Sequence, residues 1–122
     1  MNSTVRSMAL SDIAALLEAQ IVTGRQRTAL GIGRVCASDL MSDVLAFGKS
    51  RSLLLTGLVN PQTVRTAEMS DIPAICFVHG KKPSPEVIAL AEATRITLLC
   101  TRLSLFEACG RLHTAGLAGC DA

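Results

Sequence analysis

The stretch LLLTGLVNPQTVRT, residues 53–66, decides the fold class. Its leading leucines form a continuous apolar run that ends at Thr56 and Gly57, and Asn60 and Pro61 then open a segment with helical signals. Asparagine is a favoured N-cap residue, and proline is favoured at the first helical position. The stretch therefore predicts a buried strand, a short connection and a helix.

The same order of strand and helix recurs on both sides of this stretch. The strand-like runs are GRVCAS (33–38), SLLLTG (52–57), IPAICFVHG (72–80) and ITLLCT (96–101). The helical segments are SMALSDIAALLEAQIVTG (7–24), DLMSDVLAFG (39–48), PQTVRTAEM (61–69), KKPSPEVIALAEATR (81–95) and RLSLFEACGRLHTAGL (102–117). Nearly continuous apolar strands are covered on both faces, and their alternation with helices favours parallel pairing. We predict a small α/β sandwich with a mainly parallel sheet of about four to five strands flanked by helices.

Polar residues stand where the predicted helices need caps. The candidates are Ser11, Ser38 with Asp39, Asn60, Ser84 and Ser104. In the helix of residues 39–48 the apolar residues predicted to face the sheet are Leu40, Val44, Leu45 and Phe47. This pattern predicts amphipathic helices packed on a central sheet.

Length and composition exclude several functional classes. The 122 residues predict one domain, 1–122, with frayed tails over residues 1–7 and 118–122. Tryptophan and tyrosine are absent and the net charge is +2, which argues against a nucleic-acid partner. No apolar run is long enough for a membrane span, and the start of the chain is a poor signal peptide. We therefore expect a cytoplasmic protein without a membrane or nucleic-acid partner.

The five cysteines are scattered and lack the pair spacing of a zinc site. This pattern predicts reduced thiols and no metal site. Cys36, Cys76 and Cys100 fall in apolar runs, where we expect them to pack in the core. Cys109 is either a helix-buried residue or a thiol activated by its basic neighbours, and Cys120 is expected to be exposed in the tail.

Parallel strands bring their carboxyl ends to one edge of a sheet, where open α/β folds bind ligands. The candidate ligand-binding residues at this edge are Thr56, Gly57, Asn60, His79, Gly80, Lys81, Lys82, Ser84 and Arg102. Lysines before a helix N-terminus favour an anionic small molecule, such as a nucleotide. Two simpler interpretations stay open, namely helix capping for the polar residues and solvation for the lysine pair. The cofactor is unknown, because neither a Walker A motif nor GxGxxG is present.

Catalytic residues are not predicted. His79 follows a strand, but no nucleophile with an orienting carboxylate accompanies it. We therefore expect that the protein is not an enzyme, and an unrecognised site around His79 is the remaining catalytic hypothesis.

The segments DLMSDVLA, LLLTGLVNPQTVRTAEMSDIPAICFVHGKKPSPEVIALAE and LSLFEACGRL resemble the DRTGG domain, over residues 9–117. The resemblance implies a small, often dimeric α/β domain similar to the amino-terminal domain of HPr kinase. Such domains occur fused to CBS domains in nucleotide-regulated pyrophosphatases, fused to phosphotransacetylases, or alone beside hydrogenase-like subunits. The resemblance implies the stand-alone type and a regulatory role without catalytic residues. The sequence departs from the family pattern at Leu58 and at His79-Gly80-Lys81, where many members have Thr-Gly-Gly.

Two functional hypotheses follow. The first is a homodimeric regulatory module that senses an anionic ligand, with an adenine nucleotide as one candidate, and it expects Lys81, Lys82 and Arg102 to face one concavity. The second is an interaction module that docks on a larger metabolic or redox (hydrogenase-like) complex without a small ligand. An exposed apolar stripe on the last helix would favour the second hypothesis. Its candidate residues are Leu105, Leu112 and Leu117.

Overall fold

The structure is a computed structural model that describes residues 7–120. Its elements, in chain order, are β1 (Met8–Ala9), α1 (Leu10–Leu16), β2 (Gln20–Ile21), a 3-10 turn (Arg25–Arg27), β3 (Gly31–Ile32), β4 (Arg34–Ala37), α2 (Met41–Phe47), β5 (Ser52–Thr56), α3 (Pro61–Met69), β6 (Ala74–Phe77), α4 (Pro85–Ala93), β7 (Thr97–Cys100), α5 (Leu105–Thr114) and β8 (Ala118–Gly119). No helix in this range is long and apolar enough to cross a bilayer.

The central sheet has six strands in the order β2-β7-β6-β5-β4-β8. The four strands from β4 to β7 are parallel, β8 is parallel to β4, and β2 pairs antiparallel with β7. The predicted α/β class with a mainly parallel sheet is confirmed, but the sheet is larger than the four or five strands expected. The outermost strands were missed because each has two residues, which is too short for a hydrophobic period.

The helices cover the two faces of this sheet separately. Alternate strand residues such as Leu54, Ile75 and Leu98 pack with α2, α3 and α4 in one apolar cluster. The intervening residues, such as Leu53 and Leu99, pack with α1 and α5 in a second cluster. The helices that follow β4, β5 and β6 therefore cover one face of the sheet, and the helix that follows β7 covers the other. This reversal makes the carboxyl ends of β6 and β7 a topological switch point.

Three of the predicted caps are confirmed. The side chains of Asn60, Ser84 and Ser104 accept hydrogen bonds from amides three residues further on, at 3.0, 3.3 and 3.1 Å. Each of these bonds satisfies one of the amides that an α-helix leaves without an internal partner. The helices that follow β5, β6 and β7 therefore begin where the sequence predicts.

The other two predicted caps are wrong. Ser11 lies inside α1, and its amide donates to the carbonyl of Thr28 at 2.9 Å, so backbone replaces a side-chain cap. Ser38 and Asp39 precede Leu40, the N-cap residue of α2, which has no side-chain cap. The hydroxyl of Ser38 accepts from the Leu40 amide at 3.0 Å, while the carboxylate of Asp39 turns toward β5.

The helix α2 buries less than its sequence suggests. Val44 is fully buried as predicted, but Leu40, Leu45 and Phe47 are 58%, 50% and 47% exposed. The helix has seven residues, and it contacts the core through Met41 and Val44, which lie on one face. The prediction that all four apolar residues face the sheet is therefore wrong for three of them.

The carboxyl-terminal segment is more ordered than expected. Ala118 and Gly119 form β8 beside β4, and Cys120 is buried, so the prediction of a frayed tail is wrong for 118–120. Residues 1–6 and 121–122 lie outside the described range. Leu112 and Leu117 are buried and Leu105 is half-buried, so these residues do not form the exposed stripe that would favour the interaction module. Their burial against the second face of the sheet completes its core.

Candidate functional site at the carboxyl edge of the sheet

A polar cluster joins the loops that follow β4, β5 and β6. The Asp39 carboxylate accepts a hydrogen bond from the hydroxyl of Thr56 at 2.8 Å and another from the amide of Gly57 at 2.7 Å. Lys81 reaches across from the next loop and donates from Nζ to the carbonyl of Gly57 at 2.9 Å. We call Asp39, Thr56, Gly57 and Lys81 the Asp39 cluster. It fixes three strand ends relative to one another.

The electrostatics of the Asp39 cluster favour an ionised carboxylate. The pKa of Asp39 lies below its ordinary value of 3.8, first because of the hydrogen bond from the Gly57 amide and then because of the bond from Thr56. Burial opposes these two bonds, and the charges of Lys81 and then of His79 lower the pKa by smaller amounts. The charge of Lys81 acts on the Asp39 carboxylate, and Nζ of this lysine is already hydrogen-bonded to the Gly57 carbonyl.

We expect Asp39→Asn to lower stability at neutral pH by about 1 kcal/mol, because an amide accepts these hydrogen bonds less strongly than a carboxylate. A lowered pKa makes the contribution of Asp39 complete above 3.8 and progressively lost as the pH falls through the pKa of the folded state. Urea unfolding of both proteins across this range should show the difference shrinking in acid. A difference that is constant with pH, or that is matched by Asp43→Asn, contradicts the assignment.

Gly57 leaves space at the centre of the cluster. Its backbone is not in the left-handed region, so the conformation itself does not require glycine. A side-chain carbon at this position would meet Lys81 Nζ at 3.4 Å and the nearer Asp39 oxygen at 3.6 Å, which are ordinary contacts. Alanine at position 57 is therefore compatible with the fold and would occupy only the open space beside the cluster.

The loop after β6 begins with a tight turn. His79 and Gly80 have φ angles of 63° and 71°, and the amide of Lys81 donates to the carbonyl of Val78 at 3.2 Å. Two successive residues with positive φ define a type I′ turn. The turn directs Lys81 back toward β5.

The same turn is bonded to the loop that follows β7. The amides of His79 and Gly80 donate to the carbonyls of Leu103 and Thr101 at 2.8 and 2.9 Å. Nε2 of His79 also accepts from the amide of Leu105 at 3.4 Å, in the first turn of α5. The two loops at the topological switch point are thus held together, and the His79 ring caps a helix. That role does not favour His79 as a general base.

The remaining predicted residues divide into caps and exposed cations. Asn60 and Ser84 serve α3 and α4 as caps, and the side chain of Asn60 also accepts from the hydroxyl of Thr63 at 3.2 Å. Lys82 and Arg102 are exposed, and within residues 7–120 neither forms a hydrogen bond or ion pair. Lys82 lies close enough to the end of β7 to lower the pKa of Cys100, although burial of this thiol raises that pKa more strongly.

The central residue of the cluster, Asp39, was not among the predicted site residues. The sequence places it at the strand edge, but the pattern of a polar residue before a helix indicated a cap. The available signal was that Asp39 follows one strand and that Thr56 and Gly57 end the next, because parallel neighbours bring their carboxyl ends together. The strand order that makes them neighbours is not visible in the sequence.

In the described part of the chain, the cysteines form neither an activated thiol nor a metal site. Burial raises the pKa of Cys76 to about 12 and also raises the pKa of Cys109, opposite to the shift that a reactive thiol needs. Cys36, Cys76 and Cys100 are buried, as predicted, and Cys120 is buried against expectation. Across residues 7–120 no group of three histidine, cysteine or acidic side chains is placed to hold a metal ion.

The fold is DRTGG-like. No family model matches the sequence, and no curated protein matches it either. The structure is similar to the CBS and DRTGG domains of the regulatory region of a Clostridium perfringens pyrophosphatase, solved in complex with its activator, diadenosine tetraphosphate. The TM-score is 0.71 and the identity 20%, over 85% of this chain and 45% of the other. The chain thus spans less than half of that regulatory region, and the likeness defines a fold.

Proposed function

We propose that this protein is a non-catalytic, homodimeric regulatory module that senses an anionic small molecule at the carboxyl edge of its sheet. An adenine nucleotide is the first candidate. The observation that carries the proposal is that the Asp39 cluster, Lys82 and Arg102 all lie on loops after the parallel strands β4 to β7, along the carboxyl edge that contains the switch point between β6 and β7. Open α/β sheets bind ligands at such a point.

The charges assign different roles to the basic residues. Nζ of Lys81 is already bonded to the Gly57 carbonyl, so in this proposal the exposed cations Lys82 and Arg102 supply the positive charge that attracts an anion. Gly57 supplies a place where a ligand approaches the backbone, since it has no side chain to exclude it.

In this proposal, ligand binding changes the structure by breaking the hydrogen bond between Lys81 and Gly57. A phosphate group that draws Lys81 away from the Gly57 carbonyl would loosen the loop after β6 from the end of β5. A ligand shifts a population of conformations only by binding one of them more tightly. In this proposal the two states are those with and without the hydrogen bond from Lys81 Nζ to the Gly57 carbonyl. A partner protein then binds the dimer differently in the two states.

Thermal unfolding with AMP, ADP, ATP, diadenosine tetraphosphate and acetyl phosphate tests the proposal. A ligand that binds the native state raises the unfolding midpoint as its occupancy grows. We expect a rise with at least one nucleotide, its loss in the double variant Lys82→Gln, Arg102→Gln, and recovery of the nucleotide unhydrolysed. The matched control is Arg65→Gln, Arg95→Gln, which removes two exposed charges elsewhere. A flat response throughout the panel contradicts the proposal.

A second candidate function rests on a different observation. Leu40 at the start of α2, Leu45 and Phe47 within it, and Met69 of α3 are large apolar side chains with about half or more of their surface exposed. The helix α2 packs beside α3. Exposed apolar residues on neighbouring helices are typical of a protein-binding surface. In this alternative the module docks on a larger metabolic or redox complex. Leu45→Ser with Phe47→Ser would then abolish docking and leave nucleotide binding unchanged.

A further inference from the structure

A polar concavity lies at the opposite, amino-terminal edge of the sheet. It has a volume of about 320 Å³ and is lined by Ser7, Gly33, Arg34, Lys49, Ser50 and Arg51. Three of the six residues are cationic, two carry hydroxyls, and none is acidic. We call this concavity the Arg51 pocket. It shares no residue with the Asp39 cluster, so it is independent of the function proposed above.

The register of the sheet brings these residues together. Arg34 and Ser52 are partners where β4 and β5 begin, and the Gly33 amide donates to the Arg51 carbonyl at 2.9 Å. The side chain of Arg34 is held in place, because Nη1 donates to the carbonyl of Gly119 at 3.0 Å. Two arginines from adjacent strand ends therefore border one concavity.

Gly31 keeps the side of this arrangement open. A side-chain carbon on Gly31 would lie 2.6 Å from the hydroxyl oxygen of Ser7 and 3.7 Å from Nη2 of Arg51. A hydroxyl and a guanidinium nitrogen thus lie within 4 Å of a single point that no side chain occupies. A side chain at position 31 would displace the Ser7 hydroxyl.

The positive charge in the Arg51 pocket has no counterion within the described chain. The ion pairs within residues 7–120 belong to Arg111, far along the sequence on α5. Guanidinium groups bind the oxygens of phosphate through paired N–H donors, and an ammonium and hydroxyls complete such a shell. None of the lining residues has an apolar side chain, which fits a small, polar ligand rather than a hydrophobic one.

We propose that the Arg51 pocket binds a phosphate group, either free inorganic phosphate or the phosphate of a small monoester. Arg34 and Arg51 bind the phosphate oxygens, and Lys49 adds positive charge. The hydroxyls of Ser7 and Ser50 donate hydrogen bonds to the phosphate. The volume admits a phosphate together with a small organic group. Binding ties the α2–β5 turn to Ser7, so occupancy stabilises the edge of the sheet opposite the proposed nucleotide site.

Titration with inorganic phosphate, followed by backbone amide NMR, tests this assignment at low and constant ionic strength. We expect saturable shifts at Ser7, Arg34 and Arg51, with affinity at least about tenfold weaker in Arg51→Gln. Lys49→Gln should also weaken phosphate binding. This second variant keeps the test decisive if Arg51→Gln fails to fold. Glycerol phosphate in place of inorganic phosphate shows whether the monoester is the tighter ligand.

The matched control is Arg95→Gln. Arg95 and Arg51 both have positive φ, at 61° and 66°, both are exposed, and both stand just before a parallel strand. Arg95→Gln should bind phosphate as the unmodified protein does. Equal weakening in Arg95→Gln would show that net charge alone attracts the anion, and an absence of saturable shifts at about 10 mM phosphate would likewise overturn the proposal.

Discussion

Replacement of Phe77 by alanine is expected to lower the free energy of unfolding by about 3–5 kcal/mol. Phe77 is fully inaccessible and is the largest of the completely buried side chains. It ends β6 and belongs to the apolar cluster beneath α2, α3 and α4. Alanine removes its ring and leaves a cavity that the surrounding helices fill only in part. A domain of this size has a total stability of about 5–15 kcal/mol, so the variant loses a large share of it.

Urea unfolding measures this loss, and the chain offers a matched control. Phe106, on α5, is 86% exposed. The same substitution there removes the same atoms without opening a cavity, so we expect a change within about 0.5 kcal/mol. Comparable losses in the two variants would mean that β6 does not lie at the centre of the core.

Replacement of Thr56 by valine is expected to cost about 2 kcal/mol. Thr56 is fully buried, its hydroxyl donates to Asp39 at 2.8 Å, and the same oxygen accepts from the amide of Leu58 at 3.1 Å. Valine has nearly the same shape but can neither donate nor accept. The Leu58 amide then lacks its partner, and Asp39 loses one of the two bonds that lower its pKa.

The control for Thr56 is Thr114→Val. Thr114 is exposed at the end of α5, where threonine and valine have similar helix propensities, so stability should hardly change. A second readout separates the Asp39 cluster from general packing. In Thr56→Val the pKa of Asp39, followed by carboxyl NMR, should rise toward its ordinary value. An unchanged pKa would show that the hydroxyl does not support the carboxylate.

The sequence predicts the parallel part of the fold because each unit carries its own signals. The strands β4 to β7 have four or five mostly apolar residues each. The N-cap residues Asn60, Ser84 and Ser104 predict the helices that follow three of these strands. The strands β2 and β8 carry no such signal. Two residues make no period, and their pairing depends on contacts with β7 and β4 that are distant along the chain.

The sequence places three members of the Asp39 cluster among the candidate site residues at one edge of the sheet but not its central residue. Thr56, Gly57 and Lys81 do meet, because they end neighbouring strands. Asp39 was assigned to a cap because local spacing cannot distinguish a carboxylate that bonds its own helix from one that bonds the next strand. The type I′ turn at His79 and Gly80 is likewise set by its bonds to the loop after β7, which the local sequence does not contain.

The most direct test of the central claim is an amide NMR titration with ADP in the Arg51→Gln background, which disables the phosphate pocket at the far edge. The account predicts saturable shifts that are largest at Gly57, Gly80, Lys82 and Arg102. Gly57→Ala, which the fold should tolerate, is expected to weaken the same shifts by filling the space beside the Asp39 cluster. No shift at about 1 mM ADP, or shifts confined to residues away from this edge, would contradict the account.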